Sequence, residues 1–170
     1  LVLTDYRNGY KLGGAKGKPS LRCPPAKYMN NTNKIILDLC GGTGSWSKPY
    51  KDAGYNVKLI TLPDADVRKW KEIPPLKEAI NFGLIYGILA APPCTMFSLA
   101  RTKAHKPRDL KEGMETVRAC LDIIWSCMEL QQDTRKKTLG LKFWALENPN
   151  GMLKYFLGKP AFEFNHYEFG

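Results

Sequence analysis

Three short apolar runs, each ended by a turn-forming motif, constrain the fold of this chain more than any other feature of its sequence. They are "KIILDL" (34–39), "FGLIYGILAA" (82–91) and "LKFWAL" (141–146), and the motifs that follow them are "CGGTGS", "PPC" and "ENP". Aliphatic and β-branched runs of this length, bounded by glycine or proline, are typical of buried strands. Strands that are apolar throughout indicate a parallel sheet covered on both faces.

The segments between these runs predict further strands and two helices. We expect strands at 55–62, 65–67 and 161–169, and helices at 45–54 and 109–132. Ser45 or Ser47 could cap the shorter helix, and the longer one has apolar residues at helical spacing. Strands that alternate with helices predict an α/β protein with a doubly wound, mostly parallel sheet.

The charge of the chain favours a polyanionic partner. Its 170 residues fit one domain and carry a formal net charge of +10. Part of the excess lies in residues 1–33, which we expect to be a basic, Gly/Pro-rich N-terminal arm with little regular structure, and part in the loop 98–108. Residues 34–170 would then be the folded core. Nucleic acid is the polyanion that such proteins most commonly bind.

The cysteine and histidine content excludes two common kinds of site. Five cysteines without a C-x-x-C pair and two histidines predict neither a disulfide framework nor a zinc site, so we expect reduced thiols and no bound metal. The longest apolar runs are too short to cross a bilayer, and no signal segment opens the chain. We therefore expect a soluble cytoplasmic protein without a membrane partner.

The motifs that end the three strands are expected to meet, because sites in doubly wound proteins lie at the carboxyl ends of the strands. Gly42, Gly44, Cys94 and Glu147 would then point into one crevice. Glycines let a backbone approach a ligand closely, and a carboxyl group beside a nucleophilic cysteine can be the proton donor or hydrogen-bond partner of a heterocycle. The convergence of these residues is a stronger signal than any one of them.

Cys94 follows two prolines, which end the strand and hold the next residue stiffly. Methyltransferases that act on amino groups use a similar turn, with Asn or Asp before the prolines and an aromatic residue after them. Ala91 and Cys94 supply neither, so the sequence favours a nucleophilic thiol. Each motif also has a purely structural interpretation: a tight turn capped by Asp38, a buried cysteine that ends a strand, and a helix started by Asn148 and Pro149.

The three motifs, in this order, resemble those of DNA cytosine-5 methyltransferases, whose usual forms are DLF-x-G-x-G-G, PCQ-x-FS and ENV. The resemblance covers about residues 34 to 150 and is closest to small phage and prophage enzymes. It implies an S-adenosylmethionine-dependent, Rossmann-like methyltransferase fold. It also implies that S-adenosylmethionine is held by the following residues: Asp38, Cys40, Gly42, Gly44, Ser45, Asp66, Val67 and Pro93. Cys40 stands where the family usually has phenylalanine.

The same resemblance implies a reaction and a DNA partner. Cys94 would add to C6 of a cytosine that has left the duplex stack, while Glu147 hydrogen-bonds N3, so that C5 accepts the methyl group. The loop 98–108 would cover the DNA backbone as a basic lid. Its expected nucleic-acid-binding residues are Ser98, Arg101, Lys103, Lys106 and Arg108.

Two other functions stay open at this point. The family's Q-x-R-x-R element and target-recognition region do not occur in the sequence, so residues 34–170 are expected to be a catalytic core that ends before them. Their absence favours a non-catalytic, nucleic-acid-binding module on a methyltransferase scaffold, whereas the presence of both Cys94 and Glu147 favours the enzyme. A Cys-His hydrolase that uses His105 or His166 is the third hypothesis.

Overall fold

A five-stranded sheet organises the computed structural model, which describes residues 2–5, 31–100, 104–132 and 140–163. The strand order is β1-β5-β4-β2-β3. The strands are β1 (Val2–Asp5), β2 (Ile35–Leu39), β3 (Asn56–Ile60), β4 (Ile85–Ala90) and β5 (Phe143–Leu146). β5, β4, β2 and β3 run parallel to one another. The predicted α/β class and mostly parallel sheet are therefore confirmed, and the arrangement is compatible with a Rossmann-like fold.

The first strand lies within the segment predicted to be the N-terminal arm. Within residues 1–33, Val2–Asp5 is a strand that pairs antiparallel with β5, with Val2 opposite Leu146. An edge strand is held mainly by backbone hydrogen bonds, which a neighbouring strand offers whatever the side chains are. Composition alone therefore gave no sign of it. Residues 6–30 lie outside the described part of the chain.

The helices connect and cover the sheet. They are α1 (Lys48–Asp52), a 3₁₀ helix η1 (Val67–Glu72), α2 (Pro74–Asn81), α3 (Leu110–Gln132) and α4 (Lys154–Leu157). α1 and α3 lie inside the two predicted helical segments. α2 was not predicted, although it begins with two prolines, which suit the first turn of a helix.

One predicted strand is not a strand in the structure, and a second lies mostly outside the described residues. The strand expected at 65–67 is wrong because the Asp66 carboxylate accepts a hydrogen bond from the Arg68 backbone amide (2.9 Å) and so starts η1. Of the strand expected at 161–169, the described residues 161–163 have no strand conformation, and the rest lies outside the described part.

The hydrophobic core lies on both faces of the sheet. On one face η1, α2 and α3 pack together over β2 and β4, and Phe97, Val117 and Ile124 are fully buried there. On the other face Ile36 and Leu89 are covered by α1 and by half-buried aromatic side chains: Trp46, Tyr50, Tyr55, Tyr86 and Phe143. This two-sided burial leaves the carboxyl edge of the strands as the place where loops from several elements meet.

Candidate active site at the carboxyl edge of the sheet

The segments that follow the parallel strands begin side by side. The Cys40 amide donates to the Ile60 carbonyl (2.8 Å), the Ala91 amide to the Leu39 carbonyl (2.9 Å) and the Glu147 amide to the Ala90 carbonyl (2.8 Å). These bonds continue the sheet ladder by one residue beyond β2, β4 and β5. The glycine turn, the proline turn and the segment that carries Glu147 therefore start at one edge.

The glycine turn after β2 has an unusual backbone. Gly42 (φ 57°) and Gly44 (φ 74°) have the left-handed conformation that glycine adopts readily, and Cys40 (φ 61°) has it as well. A non-glycine residue in this region costs on the order of 1–3 kcal/mol, and such strain is found most often at functional sites. The Gly42 amide donates to the Thr61 hydroxyl (3.3 Å), which ties the turn to the end of β3.

Asp38 lies beneath this turn and is completely buried. Neither of its carboxylate oxygens makes a well-formed hydrogen bond within the described residues. Burial therefore raises the pKa of Asp38, and the nearby hydroxyl and backbone amide of Ser47 offset part of that rise. A side chain at Gly41 would collide with the carboxylate, since its Cβ would lie 2.0 Å from Oδ1. The predicted cap of the turn is thus a buried carboxyl group that fills the space under Gly41.

A cavity of about 360 Å³ opens beside the turn. Four of the predicted cofactor residues line it: Cys40, Asp66, Val67 and Pro93. Its other walls are the end of β3, the proline turn and the first turns of α3, which contribute Ile60, Thr61, Leu62, Ala65, Arg68, Thr95, Met96, Glu112, Gly113 and Thr116. This volume is within the range of small-molecule sites, about 300–1,000 Å³.

Asp66 and Arg68 form the polar part of this cavity. The Arg68 guanidinium donates to both carboxylate oxygens of Asp66 (2.7–3.1 Å) and lies 3.6 Å from a carboxylate oxygen of Glu115 on α3. The hydrogen bonds from Arg68 hold the pKa of Asp66 below its usual value. Asp66 therefore presents an ionised carboxylate, an acceptor of hydrogen bonds, to the cavity.

The proline turn presents Cys94 half-buried at its tip. The Cys94 carbonyl accepts hydrogen bonds from the amides of Phe97 and Ser98 (both 2.8 Å), and the buried Phe97 ring anchors the turn in the core. The Arg108 guanidinium fixes the residues that follow Cys94, because it donates hydrogen bonds to the carbonyls of Met96 (2.8 Å) and Ser98 (2.9 Å). The segment with Cys94 is thus fixed by backbone, aromatic and guanidinium contacts.

Glu147 is half-buried where β5 ends, and burial raises the pKa of its carboxyl group. The next residue does not start a helix as expected, since α4 begins only at Lys154 and Pro149 precedes it in irregular backbone. The Asn148 side-chain amide instead donates to the Pro92 carbonyl (2.9 Å). This bond links the segment that carries Glu147 to the prolines before Cys94.

The structure brings the predicted site residues together only in part. Gly42, Gly44, Cys94 and Glu147 lie in the loops at the carboxyl edge, but none of them is among the residues that line the cavity. Ser45 is exposed on the glycine turn. Sequence analysis missed Thr61 and the α3 residues of the cavity. The position of Thr61 at a strand end was an available signal, whereas α3 carries no motif.

The predicted nucleic-acid-binding residues lie around the proline turn as far as they are described. Lys106 is exposed, and the Ser98 hydroxyl accepts a hydrogen bond from the Ala100 amide (3.1 Å). Arg108 is occupied by the two carbonyls named above. Arg101 and Lys103 lie outside the described residues.

Comparisons with protein-family models, curated proteins and solved structures find no match for this chain. None of the described helices is long and apolar enough to span a membrane. No cluster of three or more His, Cys, Asp or Glu side chains suited to a metal ion occurs among the residues that the structure describes. His105 is exposed in the loop before α3 and His166 lies outside the described residues, so the hydrolase hypothesis gains no geometric support.

Proposed function

We propose that this chain binds S-adenosylmethionine and transfers its methyl group to C5 of cytosine in DNA. The observation that carries the proposal is the juxtaposition of the three segments at the carboxyl edge. There, a half-buried thiol on the proline turn and a carboxyl group with a raised pKa after β5 lie on segments that the Asn148–Pro92 hydrogen bond links, and the same proline turn lines a cavity of small-molecule size. This combination is what addition of a nucleophile to a protonated heterocycle requires.

The cavity residues fit the cofactor at the nucleoside end. The ionised Asp66 carboxylate would accept a hydrogen bond from the adenine amino group, and Ile60, Leu62 and Val67 would contact the apolar ring faces. When bound, S-adenosylmethionine supplies an electrophilic methyl group on a sulfonium. Pro93 lines the cavity and directly precedes Cys94 in the sequence, so it would border that methyl group.

The protein's own groups would carry the chemistry on cytosine. The Cys94 thiolate forms a bond to C6, and the C5–C6 electron pair moves to C5 while the Glu147 carboxyl hydrogen-bonds N3 and stabilises the added charge. C5 would then take the methyl group, with S-adenosylhomocysteine as the leaving group, after which the C5 proton would pass to solvent, its electron pair would restore the C5–C6 double bond and the C6–S bond would break. The thiolate is then restored and 5-methylcytosine is released.

One observation favours a second candidate, a non-catalytic nucleic-acid-binding module. Neither Cys94 nor Glu147 lines the cavity that holds the predicted cofactor residues. A binding module would need the basic surface but no covalent step. Trapping of a covalent adduct separates the two functions.

The trapping experiment uses DNA in which every cytosine is 5-fluorocytosine, offered single-stranded and as a duplex together with S-adenosylmethionine. Fluorine cannot leave C5 as a proton does, so the adduct on Cys94 should persist and appear as a mass increase of the protein. Cys94→Ala should abolish it, whereas Cys127→Ala, at a buried thiol on α3, should not. If the wild-type protein binds both cofactor and DNA and forms no adduct, the enzyme proposal is overturned in favour of the binding module.

Cofactor binding is tested separately by calorimetry. Asp66→Ala should weaken the affinity for S-adenosylmethionine about ten- to a hundredfold, through loss of a charged hydrogen-bond acceptor. Asp66→Asn keeps a side-chain oxygen that can cap η1 but removes the negative charge. A loss of cofactor affinity in this variant is therefore not caused by unfolding of η1. Asp52→Ala is the control, because Asp52 pairs with Lys48 on the exposed surface of α1. No binding by the wild-type protein would contradict the cofactor assignment.

A further inference from the structure

The short helix α4 exposes an unusual amount of apolar and aromatic surface. No residue of α4 is buried among the described part of the chain, and Tyr155 is 76% exposed. Phe156 and Leu157 are also exposed, as is Leu99 on the neighbouring loop. We call Leu99, Tyr155, Phe156 and Leu157 the α4 face. Large exposed apolar groups in one place commonly mark an interaction surface.

The α4 face is attached directly to the segment that carries Cys94. The Phe156 ring lies edge-on to the Phe97 ring, with centroids 6.3 Å apart. The Met152 amide donates to the Phe97 carbonyl (2.8 Å), and Ser98 forms a bridge with Gly151. Anything bound to this face therefore lies next to the proline turn.

Two cationic side chains lie on or beside the α4 face. The Lys154 ammonium lies 5.7 Å from the centroid of the Tyr155 ring, and Lys159 is exposed just after the helix. Arg108 ties the loop that carries the exposed Lys106 to Ser98. Aromatic rings interleaved with cations are the features with which proteins bind single-stranded nucleic acid, whose bases stack on the rings while the cations attract phosphates.

We propose that an unpaired segment of DNA lies on the α4 face, with one base stacked on Tyr155 and the adjacent phosphates near Lys154 and Lys159. The inference rests on the proposed function for its placement beside Cys94. It also specifies the substrate further, because bases inside a duplex are already stacked on one another and cannot cover a protein ring. The chain should therefore prefer single-stranded DNA, or duplex DNA with unpaired bases beside the target.

The test measures the binding of a fluorescent oligothymidine by anisotropy, since a strand without cytosine cannot react with Cys94. Tyr155→Ala should weaken binding about tenfold, as expected for loss of one stacked base. Tyr155→Phe should bind like the wild-type protein, because it keeps the ring. Phe82→Ala removes an exposed aromatic ring that follows α2 and should change nothing. A matched duplex should bind more weakly than the single strand.

The inference is overturned by equal affinity of the wild-type protein and Tyr155→Ala, by an equal loss in Phe82→Ala, by tighter binding of the duplex, or by a change of sedimentation coefficient in Tyr155→Ala. The last would identify the face as a contact between copies of the chain. A lower melting temperature of Tyr155→Ala with unchanged affinity would mean that the rest of the chain covers the ring, and this also overturns the inference.

The failure of the inference can be told apart from the failure of the proposed function. Oligothymidine binding that depends on Tyr155, without any 5-fluorocytosine adduct, would retain the DNA-binding role of the α4 face and reject the methyl transfer. If Tyr155→Ala forms the adduct as well as the wild-type protein does, the methyl transfer is retained and the DNA-binding role of the α4 face is rejected.

Discussion

The surroundings of Asp38 disfavour its ionised form. Its carboxyl group is buried without well-formed hydrogen bonds and is held in place by the packing around it. The free-energy cost of burying this group is lowest when the group is protonated. Because Asp38 lies under the strained glycine turn, its protonation state affects the stability of the site itself.

The raised pKa of Asp38 predicts the pH dependence of unfolding. The folded protein binds this proton more tightly than the unfolded chain, whose aspartate has a pKa of about 3.9. The stabilising contribution is thus complete below that value and is lost as the pH rises through the pKa of the folded state. Urea unfolding at a series of pH values should show this decline, and Asp38→Asn should remove it. Asp64→Asn, at an exposed position, is the control, and the same slope in Asp38→Asn would contradict the prediction.

Glu147 predicts a pH dependence of the reaction. Burial raises the pKa of its carboxyl group, so the protonated form persists to higher pH, and the rate of adduct formation should fall as the pH rises through that pKa. Glu147→Gln cannot give a proton to N3, so its rate should be about 10²–10⁴-fold lower, and the decline should disappear because the amide does not titrate. Rates of 5-fluorocytosine trapping measure both effects. Glu163→Gln, an exposed residue, should leave the profile unchanged, and a decline that survives in Glu147→Gln would assign it to another group.

At the scale of elements, the proline turn and the loop after β5 are built to touch. Gly151 allows this, because a Cβ at its position would lie 2.3 Å from the Phe97 carbonyl oxygen. Gly113 allows α3 to approach the same turn, since its Cβ would lie 2.8 Å from the Met96 Cβ. The position of Cys94 therefore depends on close contacts among three elements.

Gly151→Ala tests this dependence. The added methyl group must push the loop after β5 away from the proline turn, which should lower the free energy of unfolding by about 1–3 kcal/mol. It should also slow adduct formation by Cys94. Denaturant unfolding and trapping measure the two effects. The control is Asn150→Ala, which removes only an exposed hydrogen bond with Lys154. An unchanged free energy of unfolding in Gly151→Ala would contradict the prediction and show that the loop after β5 can move without cost.

The elements also show why sequence analysis succeeded where it did. Three of the four parallel strands, β2, β4 and β5, could be predicted because each is a short apolar run that ends at a glycine, proline or polar turn, and their carboxyl ends then defined the site. β1 and η1 could not be predicted from the sequence. An edge strand such as β1 needs only the backbone of its neighbour, and η1 starts where the Asp66 carboxylate accepts one local hydrogen bond from the Arg68 amide. The α3 wall of the cavity escaped because the contact of Gly113 with Met96 is tertiary and leaves no pattern in the chain.

For the molecule as a whole, the formal net charge of +10 predicts how DNA binding responds to salt. Cations that contact phosphates release condensed counterions, so the logarithm of the affinity should fall linearly with the logarithm of the salt concentration. Lys106→Ala should make this slope shallower. Arg108→Ala should change it little and should destabilise the proline turn instead, because its guanidinium binds two carbonyls. A flat line for the wild-type protein would exclude an interface dominated by phosphate contacts, and a shallower slope in Arg108→Ala would assign Arg108 to the DNA.

The pairing of β1 with β5 sets an order of events during synthesis. Residues 2–5 leave the ribosome long before residues 143–146, so β1 must wait for β5 while the other described strands form the sheet. Until they join, β5 has an open edge whose amides and carbonyls could pair with any extended segment, including one from another nascent chain. Loss of residues 2–5 would leave that edge of β5 without its partner.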